Sequence, residues 1–289
     1  MTPLVHELAA DGYPVAVTCR VLKVPTSTYY DWLKGRPPSS RDLADAYLLD
    51  AIIDIHRTAR GTYGVRRVHA ELTLGRGLRC CRQRVERLMR LHALQGVHRR
   101  RWRHRHRSPA VFEDLVKRQF TAEAPNRLWV TDITQNRTEQ GWVYCAAVID
   151  VYSRRCVGWS IADHLRTELV VDALDMARWQ RNPTGTVVHS DRGTQYTSWL
   201  FGTRMREAGL MGSMGKVACA YDNSLMESFF GSMQIELLDR RTWATRTELT
   251  AAIFEWIEAW YNPTRRHSSL AYRSPVEFEA LHATAPSAA

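Results

Sequence analysis

The 289-residue sequence contains no apolar run of about 18 residues, the length a helix needs to cross a bilayer. It carries no lipidation motif, and Asp11 and Pro14 interrupt the N-terminus where a signal-peptide core would lie. These absences lead to the expectation of a cytoplasmic protein with no membrane partner. The six cysteines (Cys19, Cys80, Cys81, Cys145, Cys156 and Cys219) form no C-x-x-C pair and have no His at zinc-ligand spacing, so they read as reduced filler side chains. The second half also lacks a charge excess. Residues 125–289 hold 17 Lys+Arg against 18 Asp+Glu, whereas residues 1–124 hold 23 against 12. A basic front joined to a neutral back suits a half that grips a polyanion and a half with another task, because neutralising phosphates releases counterions and drives binding. With 45% hydrophobic residues, the length allows two or three domains.

Local pattern divides the chain further. Pro14 to Leu33 reads as two short helices broken at Lys23-Val24-Pro25, the arithmetic of a helix-turn-helix, with Tyr29 and Trp32 facing the packing side. After a linker around Pro37-Pro38, residues 41–57 carry Ala44, Leu48, Ala51, Ile52 and Ile55 on one stripe. Helices are expected over Val65 to Leu74 and over Cys80 to Leu91, the latter turning Val85, Leu88 and Met89 inward and Arg82, Arg84, Arg87 and Arg90 outward. Residues 98–107 hold six arginines and three histidines around Trp102, a run that stays extended until an anion neutralises it.

From Pro125 the texture changes to strands at Leu128 to Asp132, Trp142 to Asp150 and Cys156 to Ile161, then a helix from Thr167 to Trp179 and a short strand ending at Asp191. A three-strand meander followed by helix and strand is the layout of an RNase H-like α/β core. Residues 222–238 read as a helix carrying Glu227. Thr245 with Glu248, and Ser274 with Glu277, are capping boxes for two more. The expected segments are 1–36, helix-turn-helix-like; 41–97, a second helical DNA-binding module; 98–124, a basic linker; 125–240, the α/β core; and 241–289, a helical extension.

Asp132 and Asp191 end apolar strands, and acids at strand ends collect at one edge of an α/β sheet. Together with Glu227 they would repel one another unless cations lay between them. Hard oxygen ligands select Mg²⁺ or Mn²⁺ over zinc. Two such ions about 4 Å apart can activate an attacking oxygen and stabilise a leaving oxygen in phosphoryl transfer. Each acid alone has a structural reading: turn former for the aspartates, first-turn helix acid for Glu227.

The surrounding words are more specific. Trp129-Val-Thr-Asp132-Ile-Thr, His189-Ser-Asp191-Arg-Gly-Thr-Gln-Tyr196 and Asp222-Asn-Ser-Leu-Met-Glu227-Ser-Phe-Phe resemble the three signatures of the DDE transposases of insertion sequence family 3, and the 35 residues between Asp191 and Glu227 match that family's spacing. Gly61-Thr-Tyr-Gly64 with Arg67-Val-His-Ala-Glu-Leu72 is similar to the helical module of the family's second reading frame. Tyr261-Asn262, His267-Ser-Ser-Leu270 and Tyr272-Arg-Ser-Pro-Val-Glu-Phe278 are similar to its C-terminal signature. The resemblance implies a retroviral-integrase-like core that nicks element ends with water and uses the freed 3′-hydroxyl to attack DNA, with two Mg²⁺ or Mn²⁺ ions held by Asp132, Asp191 and Glu227. It implies double-stranded DNA as partner, at least a dimer in synapsis, and a first-reading-frame protein supplying an upstream helix-turn-helix and leucine-zipper portion that this chain lacks. A second departure is Gln234, where many members carry Lys or Arg.

Candidate DNA contacts are Arg66, Arg67, Arg82, Arg84, Arg99, Arg100, Arg101, Arg103, Gln195 and Gln234, with Thr194 and Tyr196 beside the second acid and Arg265, Arg266 and His267 near the C-terminus. His189 reads as packed, and Asp222 and Asn223 as helix caps. The rival functions are an idle DNA-binding regulator of the mobile element and a nuclease that cuts without joining.

Overall fold

The structure, a computed structural model, describes residues 1–35, 38–97, 121–191, 193–214 and 224–283. It divides into two compact units, Met1–Ile53 and Asp54–Ala289, with the division falling inside one helix. In the first unit α1 (Thr2–Ala10), α2 (Val15–Val21) and α3 (Thr26–Leu33) pack pairwise around Val5, Cys19 and Tyr29. The break between α2 and α3 falls where Lys23 takes a positive φ of 52° ahead of Pro25. Tyr29 is buried as expected, and Trp32 packs edge-on against His6 and stacks on Tyr29 while staying 44% exposed. Helix α1 was not foreseen.

Helix α4 (Ser40–Thr58) leads into the second unit, where α5 (Val65–Ala70) continues as a π-helical turn to Gly75 and is followed by α6 (Arg82–Leu91). Val85, Leu88 and Met89 are the buried face of α6, as its apolar spacing requires. The basic run 98–107, with Arg99, Arg100, Arg101 and Arg103, lies outside the described residues, as do Cys219, Asp222 and Asn223. The five described cysteines are free thiols. Among the described residues no helix is long and apolar enough to cross a membrane.

A five-stranded sheet follows: β1 (Leu128–Thr138), β2 (Gly141–Asp150), β3 (Cys156–Ala162), β4 (Val187–Ser190) and β5 (Met211–Met214), in the order β3-β2-β1-β4-β5. The first three strands form the expected antiparallel meander, while β4 joins β1, and β5 joins β4, in parallel. Val143 and the run from Cys145 to Ile149 are buried because β2 is flanked by strands on both edges and covered on both faces. On one face α7 (Thr167–Arg181) and α8 (Trp199–Glu207) close a core of Trp129, Val148, Val157, Leu174, Val188 and Phe201. Helix α9 (Ser224–Glu236) packs on β1, and α10 (Arg246–Glu255), extended by a π-helical turn to Tyr261, packs on β2.

Both capping boxes form. Thr245 Oγ accepts from Glu248 N at 3.1 Å, and Ser274 and Glu277 exchange side-chain bonds at the start of α11 (Pro275–Ala283). Helix α8 and strand β5 were not foreseen; β5 is four residues, Met-Gly-Ser-Met, too short to show an alternation.

The expectation that Asp132 ends its strand is corrected. Strand β1 runs on to Thr138 because β2 pairs with it from Trp129 to Thr138, and only the shorter β4 stops at Thr131. Residues 54–97 and the sheet fall within one compact unit.

Gly158 sets how closely α7 approaches the sheet: a Cβ there would lie 2.2 Å from the Ala173 carbonyl oxygen and 2.6 Å from Ala177 N. Gly158→Ala should cost on the order of 2 kcal/mol through overpacking and lower the melting temperature by roughly 5 °C. Thermal melts followed by circular dichroism test this, and an unchanged midpoint contradicts it.

Candidate active site

Pairing between β1 and β4 ends at Thr131↔Ser190, so the next residues on the two strands, Asp132 and Asp191, stand beside each other where adjacent strands lie about 4.8 Å apart. Side chains alternate along a strand. Trp129 enters the α7 core and Thr131 meets Tyr196 of that core at 3.3 Å, so Asp132 faces the other side of the sheet, the side on which α9 lies against β1. Glu227 is exposed in the first turn of α9, and Leu225, Met226, Phe229 and Met233 form the helix face that anchors it.

The two aspartates are held by short backbone contacts. Ile133 N donates to Asp132 Oδ1 at 2.8 Å, and Gly193 N donates to Asp191 Oδ1 at 2.9 Å. A side chain at position 193 would crowd that second carboxylate, since a Cβ would come within 3.1 Å of Asp191 Oδ1.

Burial first, then the neighbouring carboxylate of Asp191 and, less strongly, that of Glu227, push the Asp132 carboxyl up to about 7; the Ile133 N–H works against them. Glu227 therefore lies within electrostatic reach of Asp132. Among the described residues no three His, Cys, Asp or Glu side chains stand in a metal-holding arrangement. Like charges have no reason to draw together before a cation lies between them. The donor set is all carboxylate oxygen, which suits Mg²⁺ or Mn²⁺.

The neighbours divide into core and surface. His189 is buried with Nδ1 3.0 Å from Ser213 Oγ, which fits its reading as a packed residue. Tyr196, expected beside the DNA, is 1% exposed and belongs to the core; its aromatic bulk is needed between β1 and α8. Thr194 is exposed, and Gln195 donates to the Leu165 carbonyl at 3.1 Å. Gln234 is half-buried and its amide reaches Asp239 Oδ1 at 2.5 Å. Asp150, which the sequence did not single out, is fully buried yet structural: it accepts from Asn126 N, Trp129 Nε1, Tyr152 N and Ser153 N and ties the β2–β3 turn.

Arg66 and Arg82 are exposed and Arg84 half-buried. Arg67 is directed inward, with its guanidinium 3.4 Å from Glu236 Oε1 and 5.5 Å from the Tyr63 ring centre. Arg265 and Arg266, expected at the DNA backbone, are each 4% exposed, which corrects that reading. Arg265 forks onto both oxygens of Glu236, at 2.7 and 2.8 Å, and reaches Ser232 Oγ. Arg266 bonds Glu71 and Glu277, and its N–H donates to Tyr63 Oη. Buried charges need partners, and these arginines supply them to acids of α9, of the turn after α5 and of α11. Asn262 serves the same region by bonding both the N–H and the carbonyl of Cys156 at 2.9 Å, where β3 begins.

Comparison with known proteins agrees with this architecture. Residues 122–218 and 209–275 match two family models, each described as an integrase core domain, and residues 42–102 match an HTH-like domain. The chain is 38% identical to the transposase for insertion sequence element IS629 of Shigella sonnei, over 98% of this chain and 96% of that protein. It is 39% identical to a putative transposase for IS986/IS6110 of Mycobacterium tuberculosis, over 90% and 96%. It is 34% identical to transposase InsF for IS3A of Escherichia coli K12, over 92% and 94%. Among solved structures, the magnesium-bound HTLV-2 integrase catalytic core is 15% identical, with a TM-score of 0.42 over 54% of this chain and 98% of that one.

Asp132 makes a pH-dependent contribution to stability. Below about pH 4 it is protonated folded or unfolded. As the pH rises from the unfolded value of 3.8 to about 7, the folded chain retains a proton the unfolded chain has released, so native stability falls across that window. Metal-free Asp132→Asn should therefore melt a few degrees above the parent at pH 8 and level with it at pH 4. Mg²⁺ should raise the melting point of the parent and not of the variant. Equal melting at pH 8 would contradict the raised proton affinity that burial and the neighbouring carboxylates give Asp132. Glu236→Ala should cost about 3 kcal/mol in denaturant unfolding, because it strands Arg265 in the interior; a loss below roughly 1 kcal/mol contradicts the pairing.

Proposed function

The chain belongs to the transposases of insertion sequence family 3, and we propose that it cuts DNA at element ends and joins the freed strands to a new site, with Asp132, Asp191 and Glu227 as its catalytic acids. The carrying observation is the register that sets Asp132 beside Asp191, with Glu227 near enough to raise the proton affinity of Asp132. Two Mg²⁺ or Mn²⁺ ions held by these acids would activate the attacking oxygen and balance charge on the departing one.

The protein's own part is positional. The sheet and the Ile133 N–H orient Asp132, the Gly193 N–H orients Asp191, and α9 carries Glu227 to the same side of β1. In the first step the oxygen of a water molecule bonds to phosphorus at the element end and the 3′-oxygen leaves, taking a proton. In the second that 3′-hydroxyl bonds to a target phosphorus, loses its proton and displaces the target's own 3′-oxygen.

Residues 42–97 grip the duplex through Arg66, Arg82 and Arg84, and the run containing Arg99, Arg100, Arg101 and Arg103 adds further phosphate contacts. The working segments are those read from the sequence: 1–36, 41–97, 98–124, 125–240 and 241–289. Partners are double-stranded DNA, a second copy of the chain to bring two ends together, and a first-reading-frame protein. Its place of action is the cytoplasm, where the element's DNA lies.

The test is incubation of labelled end-bearing duplex with Mg²⁺. Asp191→Asn should lose both nicked and joined product by at least about a hundredfold while its duplex affinity stays within about twofold. Joined product from that variant would sink the assignment of the acids. Nicked ends without joined product from the parent would make it a nuclease.

A further inference from the structure

Beside α9, on the stripe next to Glu227, lies a cavity of about 110 Å³ whose lining includes Arg67, Arg154, Arg265, His267, Ser228 and Ser232. Arg154 comes from the β2–β3 turn, and Tyr261 Oη holds its carbonyl at 3.0 Å. Ser228 and Ser232 are one helical turn apart on α9, and Ser228 directly follows the third acid. Ser228, Ser268 and Ser269 are exposed at the rim, so the cavity opens to solvent.

Its charge is unbalanced. Arg265 and Arg67 share one carboxylate, Glu236, and among the described residues Arg154 has no hydrogen-bond or ion-pair partner for its guanidinium. Burial lowers the proton affinity of Arg154, and His267 is held neutral by burial and by the positive field of Arg265, Arg67 and Arg154. Three guanidiniums facing one carboxylate leave a partly desolvated excess of positive charge, which an anion would stabilise. A space of this size admits a tetrahedral oxyanion. None of this corresponds to the acids' own role, which is to gather cations where β1, the end of β4 and the first turn of α9 meet.

We propose that this cavity seats a single phosphate group of the DNA backbone, on the strand that runs past Glu227, with Arg154 as its principal ligand and Ser228 at its mouth. The proposal rests on the DNA-processing reading above. Arg154, from the β2–β3 turn, and Ser228, next to Glu227 on α9, thus hold the strand so that the phosphorus to be attacked lies at a set distance from the one that is gripped.

The test uses the full chain in EDTA, so that the acidic centre plays no part, and a fluorescent random-sequence duplex titrated over a salt series. Arg154→Gln should bind five- to tenfold more weakly, with the slope of log K against log salt reduced by about 1, and Arg154→Lys should recover most of the loss. Ser228→Asp, at an exposed position, should weaken binding to a similar degree. Arg206→Gln, which removes an exposed charge on α8, should stay within twofold of the parent.

A parallel melt with inorganic phosphate separates the sources of the anion. If millimolar phosphate stabilises the parent but not Arg154→Gln, while both bind duplex equally, the cavity takes a small anion and the DNA assignment is overturned. If Arg154→Gln and Ser228→Asp both bind duplex with the parent's affinity and salt slope, and phosphate stabilises neither them nor the parent, the cavity is not an anion seat. Because these readouts need neither metal nor cleavage, they stand apart from the joining assay: joined product from Asp191→Asn would refute the acids' role and leave the phosphate seat intact.

Discussion

The parallel pairing of β1 with β4 is the constraint on which the site depends. Parallel strands in one sheet need a long crossover, and here the crossover is β2, β3 and α7, so two acids 59 positions apart in the chain become lateral neighbours. Burial of Asp132, and after it that adjacency, electrostatically unfavourable without a cation, are why Asp132 holds its proton more tightly than an ordinary carboxyl. The fold accepts the strain because the other face of the same strands is a dry core of Trp129, Val148, Val188 and Leu174, closed by α7 and α8. The opposite face is left with the two aspartates, and α9 brings Glu227 to it.

A second set of charges does the reverse. Glu236 is compensated by Arg265 and Arg67, and Glu71 and Glu277 by Arg266, in a network that joins residues of the helical segment 63–71 to α9 and to the C-terminal region. Tyr63 adds an aromatic contact to Trp260 with ring centres 5.6 Å apart. A buried ion pair contributes less net stability than its geometry suggests, but breaking it is costly, so such a network selects one packing arrangement over others. The helical segment is thereby bound to the helix that carries Glu227. Where this network leaves its charge unbalanced, at Arg154, it meets the cavity beside the acid.

Much of this was legible in the linear chain because its signals are local. The α6 stripe, the meander of β1 to β3 and the Thr245 and Ser274 caps each depend on residues within about one helical turn or one strand of each other. Elements with weak local signals escaped: α1, α8 and the four-residue β5, which is a strand only because β4 offers it an edge. The extent of β1 beyond Asp132 was likewise invisible, since its later half, Thr134 to Thr138, is polar and is held in place by β2 alone.

For the site, the three acids were legible through their neighbouring words and the 35-residue interval, and the sequence by itself determined which carboxylates were available and what hard cation they suit. It did not determine the partners of the arginines. Arg67, Arg265 and Arg266 look the same in the sequence as Arg66 and Arg82, and Tyr196 the same as an exposed loop residue. Their burial against Glu236, Glu71, Glu277 and Thr131 is decided by helices and strands that meet from distant parts of the chain. Periodicity reports which face of a segment is apolar; only tertiary packing decides which charge finds its counter-charge, because that depends on distances in space that spacing along the chain does not encode.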